Sequence, residues 1–116
     1  MKISFDFDNT LSKKWVQEIA KAMVAAGHDV YVTTARREID STEVFAVTDE
    51  LGIARKNCQF THYADKLDFV RDFDVHFDDD DYEVDLINRD ECNCRGVLLG
   101  FINWRGELLQ ENKFDI

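Results

Sequence analysis

Proline is missing altogether from these 116 residues, and glycine and cysteine are sparse at five and three. Without proline, the turns must rest on glycine, Asn and Asp. Cys58, Cys92 and Cys94 make an odd count in a chain with no evident secretory leader, which argues against a disulfide framework and for a reducing cytoplasm. Cys92-Asn93-Cys94 could form half a metal site, but no matching Cys/His pair completes four ligands. Cations are scarce too: 14 Lys and Arg stand against 24 Asp and Glu, a net charge of −10. That balance excludes a broad nucleic-acid-binding surface or a grip on an anionic membrane, while leaving room for a local basic patch. No apolar run approaches the roughly 20 residues of a membrane span. A cytoplasmic protein without membrane contact is expected.

What is present is the composition of an ordinary globular protein, 45% hydrophobic and 33% charged. A chain of this length closes one core with little to spare, so residues 1–116 read as a single domain whose active site lies on that core.

Lys2 to Phe7 alternates polar and apolar and then ends in acids, the pattern of a short strand stopping at Asp6 to Asp8. Ser12 is placed to cap a helix with apolar rows Trp15/Ile19/Met23 and Val16/Ala20, and Gly27 to stop it. Val30 to Thr33 predicts a second strand, which runs into Thr34-Ala35-Arg36. Asp40 and Glu43 are spaced as a capping box for a helix built on Val44, Val47 and Leu51 and closed by Gly52. Further along, Gln59 to Tyr63 predicts a weaker strand, Lys66 to Asp72 a short helix and Asp74 to Phe77 a strand. Tyr82 to Arg89 then predicts a helix and Gly96 to Ile102 a last strand, with Trp104 and the tail to Ile116 beyond. The alternation predicts an α/β fold: a Rossmann-like, open, doubly wound sheet of about five mainly parallel strands with helices on both faces.

Ligands of such sheets bind outside the carboxyl ends of the strands, where the strand order reverses. Three of those ends carry Asp6 and Asp8, Thr34, and Asp78 and Asp79, which are therefore expected to converge. Taken alone, the run Asp78 to Asp81 reads as a solvated loop; at a pocket it invites a cation. Asp6-Phe7-Asp8 could also open a calcium loop, but Leu11 and Gln17 stand where that loop needs Gly and Glu.

Asp6-Phe7-Asp8-Asn9-Thr10-Leu11 after a hydrophobic strand resembles the first motif of the haloacid dehalogenase superfamily. Val30 to Arg36 is similar to its second motif, Lys66 to its third, and Val75-His76-Phe77-Asp78-Asp79 to its fourth, all in the family's order. The resemblance implies a phosphomonoesterase in which Asp6 is the nucleophile and Asp8 the general acid and base. It also implies magnesium held by the side chains of Asp6 and Asp78, the backbone carbonyl of Asp8, and Asp79 in or near the first coordination sphere. Lys66 and the Thr34 hydroxyl would neutralise and hold phosphoryl oxygens, with Asn9, Ala35 and Arg36 completing the substrate contacts. Thr33 competes with Thr34 for the second motif and Lys56 with Lys66 for the third. His28, His62 and His76 have no nucleophile partner in the pattern, and His76, inside a strand, reads as structural.

Cap domains of the family are inserted after the first motif or between the second and third. Here each interval fits only a helix and a strand, so the chain resembles a capless member. Substrate contacts would then come from the core rim, the substrate's bulk or a neighbouring subunit of a homo-oligomer. An accessible nucleotide or nucleic-acid end ranks just ahead of a small sugar phosphate, although a long polyanion would be repelled unless Lys13, Lys14, Arg36 and Arg37 form a basic rim. A non-catalytic metal- or phosphate-binding module and a phospho-receiver domain are the alternatives from other classes.

Overall fold

All the predicted strands form, and they lie parallel. In a computed structural model of the protein, which describes residues 1–99, the strands are β1 (Lys2–Phe5), β2 (Asp29–Thr34), β3 (Cys58–Phe60), β4 (Val75–Asp78) and β5 (Arg95–Leu98). The helices are α1 (Lys14–Ala25), α2 (Thr42–Leu51), α3 (Leu67–Val70) and α4 (Asp81–Arg89). The end of the predicted last strand and the tail from Trp104 lie outside the described residues. The sheet order is β3-β2-β1-β4-β5. Receiver domains instead share the flavodoxin-like order 2-1-3-4-5, so topology sets that alternative aside.

Both sheet faces are covered, which is why the strands are not simply alternating. Ile3, Phe5, Val30 and Val32 pack with Val16 and Ala20 of α1 and Val44 of α2. Tyr31 faces the other way, against the cluster of Val70 from α3, Phe73 and Ile87 from α4. Ser4, in register with Tyr31 and with His76, shares that second face. The second layer is therefore partly polar within the sheet itself.

Several local expectations are corrected. The core row of α1 is Val16/Ala20, whereas Trp15 and Ile19 lie largely at the surface. Ser12 does not cap α1; its hydroxyl accepts from the Asn9 N–H at 3.0 Å, bracing the turn after β1. The Asp40/Glu43 capping box does not form, because Arg37 and Arg36 engage those carboxylates at 3.2 and 3.5 Å and Ser41 precedes α2. Helix α3 is only Leu67–Val70, shorter than the predicted span at both ends. Strand β3 stops at Phe60 because His62 and Tyr63 adopt left-handed backbone at φ 53° and 67°, which no strand continues. Gly27 at φ 88° does end α1 as expected: the N–H groups of Gly27 and His28 return to Val24 and Met23, satisfying the last carbonyls.

Strand β1 has β2 on one side and β4 on the other. The chain proceeds outward from β1 to β3, then crosses back to β4 and β5, so the order reverses between β1 and β4. The crevice at their carboxyl ends is where the acids gather.

Candidate functional site

Asp6 follows β1 directly, and its N–H donates to the Phe77 carbonyl of β4 at 2.8 Å, fixing it across the reversal point. Asp78 is the last residue of β4 and fully buried. Between them stands Lys66, just ahead of α3 and only 4% exposed. Its Nζ donates to Asp6 Oδ1 at 2.6 Å and to Asp78 Oδ2 at 2.8 Å. The Thr10 hydroxyl reaches the other side of the cluster, 3.2 Å from Asp6 Oδ2 and 3.3 Å from Asp79 Oδ1. One carboxylate oxygen from each of Asp6, Asp78 and Asp79 lies within 4.8 Å of the other two.

Three acids against one ammonium leave an excess of negative charge in a poorly solvated place. Burial, and then the charge of Asp78, hold the Asp6 carboxyl well above the ordinary range despite Lys66. Burial is also the largest influence on Asp78, but the His76 hydrogen bond and Lys66 outweigh it and keep this carboxyl below the ordinary range. For Lys66, burial is outweighed by Asp6 and Asp78, which hold the ammonium protonated. The set of clustered carboxylate oxygens is chemically suited to a hard divalent cation, and such a charge would offset the excess. Asp6, Asp78 and Asp79 could hold it.

Asp8 sits apart, at the boundary of two clefts. Arg36 grips its carboxylate with both arms, Nε to Oδ2 at 3.0 Å and Nη2 to Oδ1 at 2.7 Å, while lying over the Phe7 ring. One cleft, of about 400 Å³, is lined by Asp6, Asp8, Asn9, Ala35, Lys66 and the aspartate run. The other, of about 570 Å³, shares Asp8 and Ala35 and adds Arg36, Ile39, Glu43 and Tyr63.

The structure places the members of each paired candidate differently. Lys66 lies in the acid cluster, whereas Lys56 is exposed at the entry to β3, the opposite edge of the sheet. Thr33 spends its hydroxyl on Ser4 at 2.7 Å and Gln59 at 2.9 Å. Thr34 ends β2 fully buried and accepts from the Arg36 N–H at 3.3 Å, so Ala35 rather than Thr34 lines the cleft. Asp80 and Asp81 are exposed; Asp80 caps α4 by accepting from the Tyr82 N–H at 3.0 Å. The Cys92 thiol lies 3.7 Å and 3.8 Å from the backbone carbonyls of Ile87 and Cys94.

Sequence reasoning missed the contacts of Thr10 and Glu83 and that of His76 with Asp78. Glu83 accepts the Lys66 N–H at 3.1 Å and so anchors the start of α3. His76 is fully buried, and its Nε2 lies 2.8 Å from Asp78 Oδ2. The signal for it was present, since residues two apart in a strand share a face. Among the described residues, no helix is long and apolar enough to cross a membrane. Comparison with protein-family models, curated proteins and solved structures returned no match.

Proposed function

We propose that the protein is a magnesium-dependent phosphomonoesterase, a capless member of the haloacid dehalogenase superfamily, with Asp6 as its nucleophile. The observation that carries this reading is the buried Lys66 ammonium bridging Asp6 and Asp78 beside Asp79 at the sheet's reversal point. Bound magnesium would supply charge neutralisation for the approach of a carboxylate to a phosphate. Asp6, Asp78 and Asp79 are the side chains that would hold it, and Lys66 adds a fixed positive charge.

With Asp8 released from Arg36 and protonated, a carboxylate oxygen of Asp6 attacks phosphorus, the ester P–O bond breaks, and the leaving alkoxide takes the Asp8 proton. Water then attacks the aspartyl-phosphate, Asp8 takes its proton, and inorganic phosphate leaves with Asp6 regenerated. The position of Asp8 between the two clefts suits this traffic: phosphate on the Lys66 side, leaving group on the Tyr63 side. Asp8→Asn is expected to lower kcat about 10²–10⁴-fold. The loss should be greatest for esters of poorly acidic alcohols; equal loss for an activated aryl ester would count against proton transfer.

The lining also bears on substrate. Arg36 is committed to Asp8 and Glu43, and Arg37 to Asp40, so those arginines do not form the basic rim that a polynucleotide would need. Asp40 and Glu43 beside the second cleft disfavour further phosphates on the leaving group. A nucleoside monophosphate, its base against the exposed Tyr63 and Ile39, suits the cleft better than a nucleic-acid end. The test is phosphate release from nucleoside monophosphates, a 3′-phosphorylated oligonucleotide and sugar phosphates, with and without magnesium. Chelation should abolish turnover, magnesium restore it and calcium restore it poorly. Full activity in chelator, without tightly held metal, would refute the metal-dependent reading, and turnover confined to sugar phosphates would refute the nucleotide preference.

A further inference from the structure

From Asp78 a chain of buried hydrogen bonds runs sideways through the sheet. His76 Nε2 meets Asp78 Oδ2 at 2.8 Å, and His76 Nδ1 meets the Ser4 hydroxyl at 3.0 Å. Ser4 Oγ lies 2.7 Å from Thr33 Oγ1, which lies 2.9 Å from the Gln59 side-chain amide. The path crosses β4, β1, β2 and β3, and Ser4, Thr33, His76 and Asp78 are all fully buried. A parallel sheet covered on both faces ordinarily carries apolar residues at such positions. A polar stripe there is tolerated only when its members satisfy one another, and no buried side-chain polar atom among the described residues lacks a partner. The departure from an apolar layer lies directly beneath the acid cluster.

We propose that His76 is a positioning residue for Asp78, held by the Ser4-Thr33-Gln59 chain, and that this support sets the protein's affinity for magnesium. The inference rests on the metal site proposed above. Its physical content lies in the donors around one carboxylate. An ionised Asp78 only accepts, so the His76 nitrogen facing it carries a hydrogen. Lys66 and His76 share Oδ2, while the Asp80 N–H donates to Oδ1 at 3.0 Å, so three donors from three directions leave the carboxylate no other orientation. Lys66 also serves Asp6, and the Asp80 N–H belongs to a turn. His76 is the donor whose ring is locked on its far side by another strand. Outer partners of this kind orient a metal ligand, and their loss costs about 10–100-fold in metal affinity.

The experiment is calorimetric titration of magnesium into the full chain, with folding followed by circular dichroism. His76→Asn, whose amide is too short to reach Asp78, is expected to weaken binding about 10–100-fold while the fold persists. His76→Gln, whose terminal NH₂ falls near the position of Nε2, should recover most of that loss. A merely structural histidine would give two variants with equal affinities, and that result, or wild-type affinity in His76→Asn, overturns the inference. Should His76→Asn fail to fold, Ser4→Ala decides in the same titration, because it frees the far side of the ring: weaker binding supports the proposal and unchanged binding overturns it. Wild-type protein that binds no magnesium removes the metal reading itself, and the inference with it, which separates the two failures.

Discussion

Asp6→Asn is expected to leave a folded protein whose phosphate release is lower by about 10⁴-fold or more, the scale seen when a nucleophilic centre is disabled. An amide oxygen is a poor nucleophile toward phosphorus, and no other group is placed to replace it: Asp8 is turned to Arg36, and Asp78 is tied down by Lys66 and His76. The fold should tolerate the change because Asn preserves the shape and keeps an oxygen for Lys66 or Thr10. It also removes a charge that burial and Asp78 already disfavour. A stability change within about 1 kcal/mol is therefore expected in urea unfolding. Loss of activity together with a large loss of stability would not identify Asp6 as nucleophile, and turnover at the wild-type rate would eliminate it. The informative combination is a silent enzyme with an undisturbed unfolding curve.

How much of this could be read from the chain depends on the range of the interaction. The strands and their parallel arrangement were legible because β1, β2 and β4 are short apolar or β-branched runs that alternate with amphipathic helices, and alternation constrains the rest. Asp6 and Asp78 were legible together because strand ends on one sheet share an edge, whereas Lys66, which stands before a helix, was singled out only through the family resemblance, with Lys56 as its competitor. The caps were not legible. Ser12 and Asp40 are locally ideal for helix starts, but Asn9 at φ 59° turns its N–H onto Ser12, and Arg37 takes the Asp40 side chain. Such competition is decided by partners that local spacing does not reveal. Arg36 is a similar case: as a cation beside the second motif it suits a phosphate, yet the fold brings it against Asp8, a residue 28 positions away. The left-handed pair His62 and Tyr63 carries no glycine to announce it. It is held instead by N–H groups donating to the Arg36 and Ala35 carbonyls at 3.4 and 2.9 Å.

Lys66→Met should have the largest effect on stability. The methionine fills much of the same volume but supplies no charge, so Asp6 and Asp78, whose side chains are 7% and 0% exposed, are left facing each other without their shared ammonium. Breaking one member out of a buried ionic cluster typically costs about 3–5 kcal/mol, because the remaining charge is neither solvated nor paired. The pH dependence follows from the directions of the two carboxyl shifts. Asp6 is already raised by burial and by Asp78, and loss of Lys66 raises it further, so the folded variant holds a proton that the unfolded chain releases. That protonation limits the damage at acid pH, and the deficit grows as pH rises from the unfolded Asp value of about 3.9 through the raised folded value. Asp78 works in the opposite sense in the wild type: its depressed carboxyl stabilises the fold above the unfolded value, and that contribution is lost on acidification. Both effects narrow the gap between the two proteins as pH falls. Magnesium should narrow it as well at neutral pH, because the variant's uncompensated carboxylates should bind the cation with the lower Kd, and a ligand bound only by the folded state stabilises in proportion to the logarithm of its concentration over Kd. Thermal unfolding of both proteins at pH 8, at about pH 4 and at about pH 3, below the unfolded Asp value of about 3.9, with and without magnesium, measures all of this. An unchanged Tm at pH 8, or a deficit that widens on acidification, would show that Lys66 is not the charge on which the acid cluster depends.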